Sequence, residues 1–425
     1  MSVDNFLLSA SATDLNYPEI RPSLDLNFAR TKTLDPRITF TRSSGGSYVG
    51  ADGLIKYAGV NEARFDHDPV TGESLGLLVE EQRTNLQRHS EDFTQGLPLL
   101  NATLTANVGT APNGTLTADQ FIETTANGLH NQEIVDHVFI AGVTYTFSCY
   151  AKTIGNRNFS PGFPTLFGSA RFGNFNLTGS GSVVSTSAGV TASIQSVGDG
   201  WYRCSITSTC VTGGGARVGV FIASGTSISY AGDVSKGLLL WGAQLEVGAF
   251  PTSYIPTVAS TRTRFEDVAR IVGANFSSWY RQDEGTVLVD VLRSYSGNFS
   301  TFPNIFQFND GTANNIFAMY GVFGSQFVTN FSIQSGGVSQ TNFIQVFTNV
   351  PGPNRIAQAL AVNSSMLAAN GALTLQDSSV AMPVGINRVN IGSDLASLSQ
   401  WGGTIRRITY WPKRLPNSQL RALTR

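Results

Sequence analysis

Charge is scarce in this chain. Asp, Glu, Lys and Arg make up 13% of its 425 residues, against about a quarter in ordinary soluble domains. The 28 basic and 29 acidic side chains leave a net charge of −1 and form no long runs. That excludes nucleic acid as a partner, because phosphate binding needs a concentrated basic face. Cysteine is nearly absent. Cys149, Cys204 and Cys210 are too few and too scattered for a disulfide framework or a metal knuckle, and they read as small buried residues in strands. The four histidines, His67, His89, His130 and His137, form no H-E-x-x-H motif and flank no cysteine pair, which removes the common zinc sites. No apolar run approaches the roughly 20 residues of a membrane span, so membrane insertion is not expected. The first residues, MSVDNFLLSASATD, lack a basic stretch and carry Asp4, which is not the pattern of a secretory signal. Synthesis in a reducing cytoplasm is expected. No repeat of 20–50 residues is present, against a solenoid or propeller.

Glycine, Ser, Thr, Asn and aromatics are plentiful: Gly numbers 44 and Phe 27. This is the composition of strands and turns, with a surface that is polar but weakly charged. Low surface charge costs solubility, so such a surface is expected to be covered by neighbours in an assembly or to face neutral, polar sugars.

The pattern along the chain predicts an all-β protein: two antiparallel β-sandwich domains, one jelly-roll and one concanavalin-like, preceded by a small β-hairpin module. Residues 1–23 read as an N-terminal arm. In 24–85, Leu24, Leu26 and Phe28 alternate with Asp25 and Asn27, and Asp52-Gly53 is a hairpin turn. A turn over 68–72 follows. This part is expected to anchor the chain. Residues 86–257 form the jelly-roll domain, with strands over 143–152 and 201–209, a turn at Asp199-Gly200, and a last strand over 238–245 with Gln244 its only polar side chain. Pro251 and Pro256 then enforce an extended exit. Residues 258–264 read as a linker. Residues 265–425 form the second sandwich, with Asn370-Gly371 as a hairpin turn and a short terminal helix capped by Asn417 and packed through Leu420 and Leu423.

Three stretches carry a family resemblance. YTFSCYAK (145–152), GDGWYRCSIT (198–207) and LLLWGAQLEVGAFPTSYIPT (238–257) resemble the carbohydrate-binding-module-like jelly roll of bacteriophage virion proteins. The last is the most specific, of the form W-G-x-Q-x-E-x-G-x-x-x-T-S-Y-I-P-T. ARFDHDPVTGESLGLLVEEQRTNL (63–86) is similar to the module preceding that domain. Residues 405–424 resemble the end of concanavalin-A-like (laminin-G-like) lectin domains. The resemblance implies a non-enzymatic virion structural protein: a tail fibre or receptor-binding protein, with capsid decoration or head fibre as the alternative. It implies other virion proteins as partners, a homotrimer, and host-surface glycan as a ligand, with no particular sugar.

An enzyme of this fold is the rival reading, as a polysaccharide depolymerase. A retaining glycosidase needs two carboxyl groups about 5–5.5 Å apart, which acids at i, i+2 on one strand supply. The eight acids from 265 onward are Glu266, Asp267, Asp283, Glu284, Asp290, Asp310, Asp377 and Asp394, and no two have that spacing. Gly213–Gly215 lacks the Lys-Ser/Thr of a phosphate loop. No motif calls for a cofactor; a structural Ca²⁺ at Asp199 or at Asp310-Gly311 would rest on isolated turn pairs. Trp201 and Trp241 sit in core-like strands. Trp279, Tyr280 and Trp401, in polar surroundings, are the candidate sugar-stacking rings. Phe163, Phe167, Phe172 and Phe175, set among Gly, Pro and Ser, are the candidate interface with another chain.

Overall fold

The structure is a computed structural model, and it describes residues 18–169, 171–293, 302–322, 327–347 and 352–425. Most of the expected N-terminal arm lies outside the described residues. The expected all-β class is found, in several antiparallel sheets. The chain forms two compact units. One holds the described residues up to Thr41, Leu75–Glu81 and Asp267–Arg425; the other holds Arg42–Ser74 and Gln82–Glu266. Residues 24–85 therefore supply strands to both units.

The first unit is a sandwich. One sheet orders the strands Ala372–Asp377, Ser364–Ala369, Gly352–Ala361, Glu284–Arg293, Gly403–Trp411 and Ser74–Val79, with Leu24–Leu26 also paired to Gly403–Trp411. The other runs from Thr39–Thr41 through Val268–Val272, Arg388–Ile391, Asn304–Asn309, Ile316–Val322 and Phe327–Ser335 to Val338–Phe347. Asn370 and Gly371 both have positive φ (47° and 83°), the conformation a two-residue hairpin demands. The terminal helix Asn417–Leu423 buries Leu420 and Leu423, but its N-cap is Pro416. The Asn417 side chain accepts from Arg414 instead, at 2.7 Å.

Trp279 and Trp401 are not surface rings, and Tyr280 is half-buried. Trp279 is 4% exposed and Trp401 is fully buried. Tyr280 lies 5.6 Å from both Phe308 and Tyr410, ring centre to ring centre, and Trp279 packs on Phe276 and Tyr410. Phe308 and Tyr410 come from opposite sheets, so Trp279 and Tyr280 fill the space between them. The Arg293 guanidinium covers the Trp401 ring at 5.6 Å. The polar neighbours that suggested exposure lie in the turn after the short helix Ala274–Ser277 and in the loop before the strand Gly403–Trp411.

The second unit packs a six-stranded sheet against a five-stranded one. The first orders Thr191–Ser196, Trp201–Thr209, Thr144–Ile154, Gly237–Val247, Leu116–Glu123 and Ala102–Thr110. The second orders Asn131–Phe139, Gly214–Ala223, Asn158–Phe163, Arg171–Asn176 and Ser182–Thr186. Between them lies a core that includes Tyr145, Phe147, Cys149, Cys204, Ile206, Leu238 and Leu245.

Three of the four phenylalanines expected at an interface, Phe163, Phe167 and Phe175, belong to this core. Phe163, Phe167 and Phe175 are buried, and Phe163 stacks on Phe167 at 4.4 Å. Phe172 is half-buried against Phe221. A Cβ on Gly162 would meet the Phe172 ring at 2.4 Å, and one on Gly219 the Phe221 ring at 2.6 Å. The glycines leave room for rings to lie over bare backbone, and this produces the Gly/Phe alternation that resembled a loop.

Candidate functional site

The site is built from the closing strand Gly237–Val247 and the segment leaving it. Leu238 and Leu240 face the sandwich core on even positions, and Ala243 and Leu245 face it on odd ones. The change of parity occurs at Gly242, which has φ +65° and makes a bulge opposite the Ser148–Tyr150 stretch of the neighbouring strand. One extra residue flips every later side chain to the other face. Trp241 therefore points away from the sandwich core into a second cluster with Ile55, Ala118, Tyr150, Trp201 and Tyr254. Trp201 and Trp241 are buried, as their strands predict.

Beyond the bulge, Gln244 and Glu246 point to that second face and hold the exit segment. Gln244 donates to Glu246 Oε2 at 2.7 Å and accepts from the Ile255 N–H at 2.7 Å. Glu246 also accepts from the Thr252 N–H and hydroxyl. Thr257 receives Ser90 N–H and donates its hydroxyl to the Gln87 carbonyl. Asn85 donates to the carbonyls of Ala243 and Ile255. All of these side chains are buried, so each donor and acceptor needs its partner. The expected linker ends in a strand, Arg262–Arg264, paired to Arg83–Asn85.

The fixed exit segment then forms one wall of a cavity of about 630 Å³. The opposite wall is the hairpin Gly46–Val49/Ile55–Ala58. The Asp52-Gly53 turn closes this hairpin, and Ser47 secures it by donating to the Tyr254 carbonyl at 2.5 Å. Gly46 is clasped by the side chains of Arg42, Arg64 and Arg264, which a Cβ would meet at 3.2–3.3 Å.

Four side chains give the cavity its chemistry. Tyr57 lines it while remaining 47% exposed. Glu91 accepts from the Tyr254 hydroxyl at 2.9 Å, which leaves the Ser90 hydroxyl, 2.7 Å away, to donate to Tyr254. Asn113 lies beside the Tyr57 hydroxyl and Arg262 stands at the exposed rim. Burial first, then the Glu91 charge, pushes both phenols above the usual tyrosine range, so they stay protonated as donors. An aromatic ring, a carboxylate, an amide and a guanidinium converging on an open cleft is the makeup of a small-molecule site.

The sequence singled out only one wall of this cleft, through 238–257. The Asp52-Gly53 turn marked the hairpin that carries Tyr57, but nothing in the sequence joins Tyr57, Glu91, Asn113 and Arg262. Among the described residues, no group of three or more His, Cys, Asp or Glu could hold a metal ion. Both oxygens of Asp310 accept from its own loop, at Thr312 and Asn315, and Asp199 pairs with Lys152 at 3.1 Å. No helix among the described residues is long and apolar enough to cross a membrane.

No family model and no curated protein matches the chain. Among solved structures, the CBM40 of the Ruminococcus gnavus IT-sialidase bound to alpha2,3 sialyllactose aligns over 34% of this chain and 84% of that chain. The identity is 16% and the TM-score 0.28. The NanB sialidase from Streptococcus pneumoniae aligns over 35% of this chain and 25% of that chain, at 12% identity and a TM-score of 0.30. Domain 4 of AbnA, an extracellular GH43 arabinanase from Geobacillus stearothermophilus, in complex with arabinotriose, covers 41% of this chain and 82% of its own, at 14% identity and a TM-score of 0.29. Likeness of this degree assigns neither family nor ligand.

Proposed function

We propose that this chain is a structural protein of a bacteriophage particle whose β-sandwich units contact host-surface glycan without cleaving it. A tail-fibre or receptor-binding place is favoured over capsid decoration or head fibre, with a homotrimer as the assembly and the N-terminal region as the attachment to other virion proteins. The virion part of this reading rests on the resemblance of residues 63–86, 145–152, 198–207 and 238–257. The glycan part rests on one observation: the open cleft whose wall is the 250–257 segment and whose half-exposed ring is Tyr57. A convergent aromatic ring, carboxylate and amide suit a hydroxyl-rich ligand.

The full chain is to be tested against purified host-surface polysaccharide, in parallel with antibody labelling of intact particles. Saturable binding, no new reducing ends and labelled particles are expected. Release of reducing ends would instead make the protein a depolymerase. Absence of binding removes the glycan role, and unlabelled particles remove the virion role.

A further inference from the structure

Resting on the glycan-contact reading, we infer that the cleft takes a neutral hexopyranose unit, with Glu91 accepting from two adjacent hydroxyls and Tyr57 lying against the C–H face of the sugar ring. The volume, about 630 Å³, falls within the roughly 300–1,000 Å³ of small-ligand clefts. A pyranose presents C–H groups on one face and hydroxyls round its rim, and it therefore needs both an apolar plate and a polar edge. Tyr57 is the plate: it is the large side chain in the cleft that stays half open to solvent.

The polar edge is set by Glu91. Its Oε1 already receives the Tyr254 hydroxyl, which in turn receives Ser90, so the carboxylate is held in one orientation by a relay running into the buried exit network. A carboxylate only accepts, and sugar hydroxyls both donate and accept. Two vicinal hydroxyls can donate to its two oxygens. The protonated Tyr57 phenol and the Asn113 amide supply donors beside it.

The same carboxylate opposes an acidic sugar. Its negative charge stands where the ligand ring would sit, and a second carboxylate nearby would be repelled. Arg262 is the group that an acidic sugar would use, but it is exposed at the rim, where a cation is screened. Arg264 is buried and donates to the Phe265 carbonyl at 3.4 Å. The geometry thus favours a neutral ring at Glu91, with Arg262 reaching an outer hydroxyl.

The test uses the full chain and four probes: the methyl glycosides of glucose, galactose and mannose, and glucuronic acid, read by saturation-transfer NMR and calorimetry. At least one neutral glycoside should bind. Tyr57→Ala, which removes the apolar plate, and Glu91→Gln, which removes the charge-assisted contacts but keeps an oxygen to accept from Tyr254, should each weaken it by about tenfold or more, with unchanged thermal unfolding. Glucuronic acid should bind no better than methyl glucoside. Binding that survives both substitutions overturns this assignment and leaves the glycan-contact reading standing. Tighter binding of glucuronic acid, abolished by Arg262→Ala, overturns the neutral class. If no probe binds, the inference falls, and the polysaccharide assay alone then decides the broader reading.

Discussion

Glu246 accepts two hydrogen bonds from Thr252, one from its hydroxyl at 2.5 Å and one from its backbone N–H at 3.1 Å. With the donation from Gln244, this carboxylate joins the last strand of the sandwich to the segment that walls the cleft. The spacing W-G-x-Q-x-E followed by T-S-Y-I-P-T thereby acquires a physical meaning. Gly242 turns the strand over, Gln244 and Glu246 reach the exit, and Tyr254 passes the contact on to Glu91.

Replacing Glu246 with Ala would strand two buried donors, the Thr252 hydroxyl and the Thr252 N–H, and leave the Gln244 amide only its two long contacts, at 3.4 Å, to the carbonyls of Thr252 and Ser253. Leaving buried polar groups unpaired costs on the order of 3 kcal/mol or more in total. Denaturant unfolding followed by the emission of buried Trp241 and Trp201 should show a midpoint well below that of the native chain. An unchanged midpoint would mean the exit segment is held by other contacts. Ligand affinity should fall too, because the cleft wall loses its anchor.

Gly242→Ala tests the bulge. At φ +65° a Cβ is strained, and it would lie 2.8 Å from the Tyr150 ring. The backbone penalty alone is about 1–3 kcal/mol, and Tyr150 must also move. A fall in Tm is expected, together with altered near-ultraviolet dichroism from the Tyr150, Trp241 and Tyr254 cluster. A variant as stable as the parent would show that the parity change at this position is tolerated without positive φ.

The legible part of the fold was the part with local periodicity. The strand Trp201–Thr209 coincides with its sequence-based bounds, and the turns at Asp199-Gly200 and Asn370-Gly371 take the positive φ their residues favour. The exit at 250–257 was legible as a boundary but not as a wall, because its hydrogen bonds reach back to Asn85, Gln87 and Ser90. Long-range burial was illegible. Trp279 and Tyr280 fill a gap between sheets, with Phe308 on one sheet and the sequence-distant Tyr410 on the other. Phe163 and Phe175 are buried from adjacent paired strands, and Pro164 and Gly168 between them cap the single turn Thr165–Phe167 that sends Phe167 into the same core. The cleft combines one ring from a hairpin with single polar residues from three distant segments, and no spacing rule joins them.

Trp401→Ala separates a core role from a ligand role. The ring is fully buried under Arg293, and truncating a buried tryptophan costs about 3–5 kcal/mol. A large loss of stability is expected, and any polysaccharide binding that persists below the lowered unfolding temperature should keep its affinity. A stable variant with lost binding would restore the ring as a contact residue. Trp279→Ala should behave in the same way.

Cys149 and Cys204 face one another across adjacent strands and are fully buried. Burial pushes both thiols above the usual cysteine range. In the unfolded chain they ionise near pH 8.5, whereas the folded chain keeps both protons. The folded state then binds more protons than the unfolded one, so stability falls as pH rises above about 8.5, with a slope of up to about 1.4 kcal/mol per pH unit for each thiol. Below that pH the contribution is fully present. Denaturation midpoints measured from pH 7 to 10 should therefore decline, and the Cys149→Ala, Cys204→Ala double variant should decline less steeply over the same range. The native chain should also resist a thiol reagent at these two positions until denaturant is added. Fast labelling of either residue at pH 8 without unfolding would show that the core between the sheets opens locally.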